Sequence, residues 1–222
     1  KTTAVLYGNE WVINGGKIFT TNAGVAGILT ATAVVIEDGE RKGIGAFIIE
    51  TENPGLKIGP PEKKMGWKAS DTRQLFFEDM RLDKDSLLGS PEDGFKTFLK
   101  ALTGGRISIG ALSVGTAEGA YEAALKYSQE RVAFGRPIHK FQSVGFKLAN
   151  MATDIEAAKL LVYQAAKRYD NGENTVKEAA MAKLFASETA MRTATEAIQV
   201  FGGYGYIKDY PVERYFRDAK VL

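Results

Sequence analysis

The residues best suited to chemistry lie late in the chain, in Gln199-Val200-Phe201-Gly202-Gly203-Tyr204-Gly205 and Asp209-Tyr210-Pro211-Val212-Glu213-Arg214. A glycine turn there leads through an extended segment to a proline able to open a helix. With Tyr210 as N-cap and Pro211 as N1, Glu213 falls at N3. Such a carboxylate can complement the helix dipole and help cap the first turn, and position alone favours that role. It can instead act as the general base for a carbon acid. The dipole lowers its pKa, while burial beside Tyr204, Tyr206 and Tyr210 raises it. A base of this kind needs burial to win.

Arg131-Val132-Ala133-Phe134-Gly135-Arg136-Pro137-Ile138 places two arginines around an aromatic residue and a glycine turn. Guanidinium groups match phosphate oxygens in a two-point fashion, so a pyrophosphate cradle is one reading. Basic residues on a helix C-terminus, followed by a Gly-Arg-Pro stop, is the other, and alone it is favoured. Phe19-Thr20-Thr21-Asn22-Ala23 sits at a strand end. Its hydroxyls and loop N–H groups could bind a polar planar ring, or the threonines could simply serve β structure. Gly202, Gly203 and Gly205 could admit a ligand or merely turn the chain. They do not form the G-x-G-x-x-G pattern after a strand, so a Rossmann site is poorly supported. His139 reads as a surface residue at a helix start, and Trp11 and Trp67 read as packing residues.

Composition narrows the remaining chemistry. With 222 residues, the chain can form one large domain or two small ones. A net charge of +2 argues against a dedicated nucleic-acid binder. Zero cysteines exclude disulfides, thiolate metal sites and cysteine nucleophiles. The single histidine excludes a His-pair zinc site and leaves little room for a Ser-His triad. No metal site is expected. No apolar run reaches membrane-spanning length, so no membrane association is expected. Lys1-Thr2-Thr3 does not read as a natural start.

Two elements of different texture must position these groups. Residues 1–90 read as a β domain. Glu10-Trp11-Val12-Ile13 and Lys17-Ile18-Phe19-Thr20 flank Asn14-Gly15-Gly16, a hairpin signal. Strands are expected over Ile28 to Ile36 and Ile44 to Ile49, joined through Glu37-Asp38-Gly39, and over Arg73 to Glu78. Asn53-Pro54-Gly55 marks another turn. Short strands with Gly-rich turns suggest a small barrel or sandwich.

Residues 91–222 read as helical, after a boundary near Ser90-Pro91-Glu92-Asp93-Gly94. A long helix is expected from Glu92 to about Arg131. Gly104-Gly105 within it implies a break or a close approach to a neighbour or ligand. Val144, Leu148, Met151 and Ile155 share one helix face, and Asn171-Gly172 ends that helix. Met181, Leu184, Phe185, Glu188 and Met191 belong to an alanine-rich helix, and a last one opens at Pro211. The whole is an α+β chain whose second half is an antiparallel four-helix bundle.

In this order, the segments resemble the acyl-CoA dehydrogenase family along essentially the whole chain, most closely its short-chain, butyryl-type branch. Trp11 to Lys17 and Phe19 to Ala23 resemble its flavin-contacting middle domain. Lys64-Met65-Gly66-Trp67-Lys68-Ala69-Ser70-Asp71-Thr72 and Phe76-Phe77-Glu78-Asp79-Met80-Arg81-Leu82 are similar to its signature before the helical domain. Gly104-Gly105-Arg106 matches the helix that meets acyl-CoA. Arg131 to Ile138 with Phe141-Gln142, then Gln199 to Gly205, look like its FAD-binding segments. Tyr210 to Arg214 carries its catalytic glutamate position.

The resemblance implies an enzyme that oxidises a fatty acyl-CoA thioester to trans-2-enoyl-CoA, with Glu213 abstracting the α-proton and FAD N5 taking the β-hydride. It implies that Phe19, Thr20 and Thr21 contact the flavin ring. Arg131, Phe134, Gln142, Gln199, Gly202 and Gly203 would hold the adenylate and pyrophosphate, typically of a neighbouring subunit. Thr103, Arg106 and Arg214 would contact substrate. Some branches carry the base just before the arginine equivalent to Arg106; here that residue is Gly105, which leaves Glu213. An electron-transfer flavoprotein partner and a homotetramer, as a dimer of dimers, are implied too. The compartment would be the cytoplasm in a bacterium or the mitochondrial matrix in a eukaryote. An acyl-CoA oxidase and a non-catalytic assembly relative are the competing readings.

Family members begin with a further helical domain and continue past the position of Leu222. The chain is therefore expected to be a fragment that binds FAD weakly or not at all and is inactive by itself.

Overall fold

The structure, a computed structural model, describes residues 2–222. They fall into two compact units. One runs to Lys64 and includes Lys68–Ala101; the other comprises Met65–Trp67 and Leu102–Leu222.

The first unit is built on strands β1 (Thr3–Tyr7), β2 (Glu10–Thr21), β3 (Ile28–Glu37), β4 (Glu40–Glu50), β5 (Leu56–Pro61), β6 (Thr72–Asp83) and β7 (Leu87–Leu88). They form one mixed sheet in the order β5-β6-β2-β1-β3-β4-β7. Among the described residues, only β1 and β3 pair in parallel. Alternation decides which face is buried: Leu29, Ala31, Ala33 and Val35 of β3 turn inward, opposite Phe47 and Ile49 of β4. Trp11 of β2 joins that core and meets Phe47 edge-on, with ring centroids 5.3 Å apart.

The Asp38-Gly39 turn forms as expected, with φ of 52° and 77°. Positive φ at both central residues is what a two-residue type I′ hairpin requires. The expected hairpin at Asn14-Gly15-Gly16 does not form. β2 runs straight through it, with pairing to β6 on both sides and a register shift between Ile13 and Gly15. The cause lies across the strand. The Asn14 amide donates to Asp79 Oδ1 at 3.0 Å, and the Asp79 N–H returns a bond to Asn14 Oδ1 at 2.9 Å. The same residue types that reverse a chain here make a bulge. The chain turns earlier instead, at Gly8, where φ is 61°.

The helical unit contains most of α1 (Gly94–Glu130), a hairpin of β8 (Val132–Ala133) and β9 (Arg136–Pro137), α2 (Gln142–Asp170), α3 (Val176–Phe201) and α4 (Val212–Ala219). Its core is assembled largely from alanines. Ala117, Ala120 and Ala124 of α1 cluster with Ala190, Ala194 and Ala197 of α3 and with Leu148, Met151 and Ile155 of α2. Small side chains let helix axes approach closely, so the larger residues of α2 fill the gaps between them.

α1 is continuous, so the break allowed for at Gly104-Gly105 is absent. Gly104 and Gly110 mark close approaches, the other possibility the sequence left open. A Cβ at Gly104 would lie 3.3 Å from the Tyr169 hydroxyl, and one at Gly110 would lie 3.1 Å from Val162 Cγ2. α2 ends as its Asn171-Gly172 signal implies: φ is 75° at Gly172, whose N–H donates to the Tyr169 carbonyl.

Candidate active site

α4 begins at Val212, with Pro211 at the N-cap, so Glu213 occupies the second helical position rather than the third. The Pro211 carbonyl accepts from the N–H groups of Arg214 and Tyr215 at 3.0 and 3.2 Å. Val212 and Ala219 are buried, one at each end of the helix, and fix it against the bundle core. Glu213 is thereby presented in the first turn, where backbone N–H groups lack intrahelical acceptors.

The environment of Glu213 differs from the sequence expectation. Arg217, one turn on, grips both carboxylate oxygens: Nε donates to Oε2 at 2.7 Å and Nη2 to Oε1 at 3.0 Å. The Glu213 side chain is only 17% exposed. This hydrogen-bonded guanidinium holds the carboxyl below the usual glutamate range; burial pushes the other way and loses, and Lys208 and Arg214 add to the depression. A carboxylate with a raised pKa is therefore not what the structure presents. The tyrosines expected to bury it are engaged elsewhere. Tyr206 is 88% exposed, while Tyr204 and Tyr210 pack on each other with centroids 5.6 Å apart.

Arg217 and Asp218 were not singled out from sequence, yet they tie the Met65–Trp67 segment to this helix. Arg217 Nη1 donates to the Met65 carbonyl at 2.9 Å. The Trp67 backbone N–H donates to Asp218 Oδ1 at 2.6 Å, and its indole N–H to the Asp218 carbonyl at 2.9 Å. A Cβ at Gly66 would collide with the Arg217 carbonyl. Glu213 and Arg217 stand at a four-residue spacing legible in the sequence, but that spacing also describes ordinary surface pairs.

Just ahead of α4, the chain makes a short 3-10 turn over Gly202–Tyr206. It borders a cleft of about 510 Å³ lined by Tyr127, Arg131, Phe201, Gly202, Gly203 and Tyr204, with Ile138, Val200 and Ile207. The floor is aromatic: Tyr127 and Phe201 stack with centroids 4.0 Å apart. Arg131 lies over the Tyr204 ring at 5.6 Å. Gly202 holds φ at 60°, and a Cβ on Gly202 or Gly203 would meet nothing within 4 Å. Both glycines thus open onto free space beside a cation and aromatic faces. That donor set suits a ligand with an anionic and a planar part, so an FAD adenylate and pyrophosphate fit it.

Of the six residues expected to hold that part of the cofactor, Arg131, Gly202 and Gly203 meet at this cleft. Phe134, Gln142 and Gln199 are not among its described lining residues. Phe134 sits at the β8–β9 tip with φ of 50° and is 96% exposed, its ring edge-on to Phe141 at 6.1 Å. Gln142 opens α2, Gln199 lies in the last turn of α3, and both are exposed. Thr103 and Arg106 are three residues apart on α1, the first buried and the second half-buried. Between them, Gly105 has no atom within 4 Å of a would-be Cβ. Arg214 is exposed.

In the β unit, Phe19 lies within a second register shift of β2, between Lys17 and Thr20, and Thr20 and Thr21 end the strand beyond it. Phe19 has φ of 58° and Asn22 of 59°, so the strand end is sharply contorted. Asp71 steadies the loop that follows: its carboxylate accepts from Gly24 N–H at 2.7 Å and from Arg73 Nε at 2.8 Å. Phe19 and Thr21 are exposed, and Thr20 is half-buried.

Among the described residues, no group of His, Asp and Glu could hold a metal ion, and no helix is long and apolar enough to cross a membrane.

Comparison with known proteins gives two family matches. Residues 92–222 match the C-terminal domain of acyl-CoA dehydrogenase, and residues 1–80 match its middle domain. An acyl-CoA dehydrogenase of Bacillus subtilis is 48% identical over 221 residues, a match covering 100% of this chain and 58% of that protein. The three-dimensional structure of butyryl-CoA dehydrogenase from Megasphaera elsdenii superposes with a TM-score of 0.95 at 45% identity, covering 100% of this chain and 58% of that one. A solved structure described as electron transferring flavoprotein of Acidaminococcus fermentans, from work on flavin-based electron bifurcation, gives a TM-score of 0.95 at 49% identity, with 100% and 58% covered. The chain thus spans a little under three-fifths of the length of these relatives.

Proposed function

The chain belongs to the acyl-CoA dehydrogenase family, and on that premise we propose that it serves the α,β-dehydrogenation of a fatty acyl-CoA thioester to the trans-2-enoyl-CoA. The observation that carries this reading is Glu213, a shielded carboxylate at the start of α4, with glycine at position 105 where some branches of the family place the base. Glu213 takes the α-proton in the ionised form that Arg217 favours, and the burial such a base needs would come from the bound acyl thioester. Its own backbone N–H, in a helix turn where such groups lack intrahelical acceptors, would donate to the thioester oxygen where enolate charge develops.

FAD, when bound, supplies the acceptor for the β-hydride. Arg131, Gly202 and Gly203 would hold its pyrophosphate and adenylate at the aromatic-floored cleft, helped by Phe134, Gln142 and Gln199. Phe19, Thr20 and Thr21 would meet the flavin ring, and Thr103, Arg106 and Arg214 the substrate. The resemblance to butyryl-CoA dehydrogenase supports a short acyl chain. The flavoprotein relative supports electron transfer to an electron-transfer flavoprotein. Exposed Phe146, Leu160 and Tyr163 of α2, with Met181 and Leu184 of α3, support burial against other subunits, as in a homotetramer built as a dimer of dimers.

The test is Glu213→Gln in the full-length protein, assayed from butyryl- to palmitoyl-CoA and on branched acyl-CoAs with a dye acceptor. Turnover is expected to fall by roughly 10²–10⁴-fold, the usual worth of a general base. Unchanged turnover overturns the assignment, and peroxide release in place of dye reduction overturns electron transfer to a protein partner.

A further inference from the structure

The chemistry above gives Arg217 no step of its own, although it shapes the state of Glu213 more than any other residue. Its guanidinium meets the carboxylate at two points, 2.7 and 3.0 Å, so it fixes the plane of the carboxylate and not merely its charge. An ammonium group can supply charge but not that planar fork. The pair is shielded, with side chains 25% and 17% exposed, as is Arg73–Asp71 at 27% and 17%, and unlike open pairs such as Lys57–Glu78.

The remaining guanidinium nitrogen donates to the Met65 carbonyl, and the next residue, Asp218, holds Trp67 by two hydrogen bonds. Gly66 between them lies flat on the helix end, because any side chain there would strike the Arg217 carbonyl. The other charges felt by the pair are Lys208 and Arg214 on the glutamate side and Asp218 on the arginine side.

We propose that Arg217 is the positioning residue of Glu213: it clamps the carboxylate in one plane as the anion and anchors that clamp to the Met65–Trp67 segment. The proposal rests on Glu213 being the base. It adds that the base is kept ionised and oriented by a partner that itself touches a distant stretch of chain. A carboxylate held this way stays ionised to lower pH than an unpaired glutamate does. It offers a proton acceptor to the substrate only along directions the fork leaves open.

Arg217→Met and Arg217→Lys in the full-length protein test it. The Glu213 carboxyl is followed by carbon-13 NMR in cofactor-free protein, its signal identified by loss in Glu213→Gln. The native midpoint is expected below the usual glutamate value. Arg217→Met should raise it by about one pH unit or more, the shift an adjacent cation produces. Arg217→Lys should fall between, because it restores charge without the fork. In the FAD-loaded protein, the acid limb of kcat should move to higher pH in the same order, with KM for acyl-CoA little changed. An unmoved NMR midpoint in Arg217→Met overturns the clamp. If that variant does not fold, a lysine variant with the native midpoint overturns it equally. Failure of the base assignment is separate: it shows as turnover retained by Glu213→Gln, whatever the NMR midpoints do.

Discussion

Trp67 donates twice to Asp218, from its backbone N–H at 2.6 Å and from its indole at 2.9 Å, across 151 positions of chain. With the Arg217 bond to Met65, this pins an irregular segment to the end of the helix that carries Glu213.

Trp67→Phe keeps the backbone bond and removes the indole donor, leaving the Asp218 carbonyl short of a partner. We expect a loss of about 1–2 kcal/mol in stability, from one hydrogen bond and some apolar contact. Urea unfolding of the helical unit's signal checks it; a change within about 0.3 kcal/mol would show the indole bond to be dispensable.

Two glycines of α1 should respond oppositely to substitution. Gly115 has nothing within 4 Å of a would-be Cβ, so Gly115→Ala should stabilise by about 0.5–1 kcal/mol through helix propensity. Gly110 faces Val162 Cγ2 at 3.1 Å and Ala182 behind it, so Gly110→Leu should destabilise by about 1–3 kcal/mol through overpacking. Thermal melts of the two variants give the signs directly.

The cleft beside Arg131 can be filled without disturbing the fold. Gly203 lacks a positive φ, and its Cβ direction is open, so Gly203→Leu should leave the cofactor-free melting temperature within about 2 °C of native. The same side chain occupies space assigned to the adenylate and pyrophosphate. Flavin retained through gel filtration of the full-length protein should therefore drop, and full retention would remove this cleft from the cofactor site.

The Glu213 pKa is depressed in the folded protein, so its contribution is present above the unfolded glutamate value of about 4.3 and is lost as pH falls through the folded value. The melting-temperature gap between native protein and Glu213→Gln should be constant from about pH 8 to 5 and should shrink on further acidification. A gap that widens in acid contradicts the sign.

Much of the fold was legible because local chemistry admits few alternatives. Asp38-Gly39 needs two positive φ values, and few other residue pairs supply them. The four-three-four spacing of Val144, Leu148, Met151 and Ile155 allows one buried helix face. Asn14-Gly15 was misread because its partner, Asp79, lies in a distant strand that no local pattern reveals. At Gly104-Gly105 a break and a close approach both stayed open, because propensity says nothing of a tyrosine packed against Gly104 from another helix. At the site, Glu213, Arg131 and the Gly202-Gly203 pair were visible as residue types. The depressed state of Glu213 was not, since it depends on which way Arg217 folds and on the carbonyl that steadies it.

The chain has two tryptophans, and each compact unit holds one: Trp11, sealed in the sheet core, and Trp67, on the segment bound to α4. Their emission therefore carries two separable optical signals. Trp11 reports the integrity of the sheet, while Trp67, half-exposed and hydrogen-bonded beside the Glu213–Arg217 pair, reports the neighbourhood of the proposed base. With Trp11→Phe as the background, the indole emission of these 222 residues comes from Trp67 alone, beside the helix that carries Glu213, with no label attached.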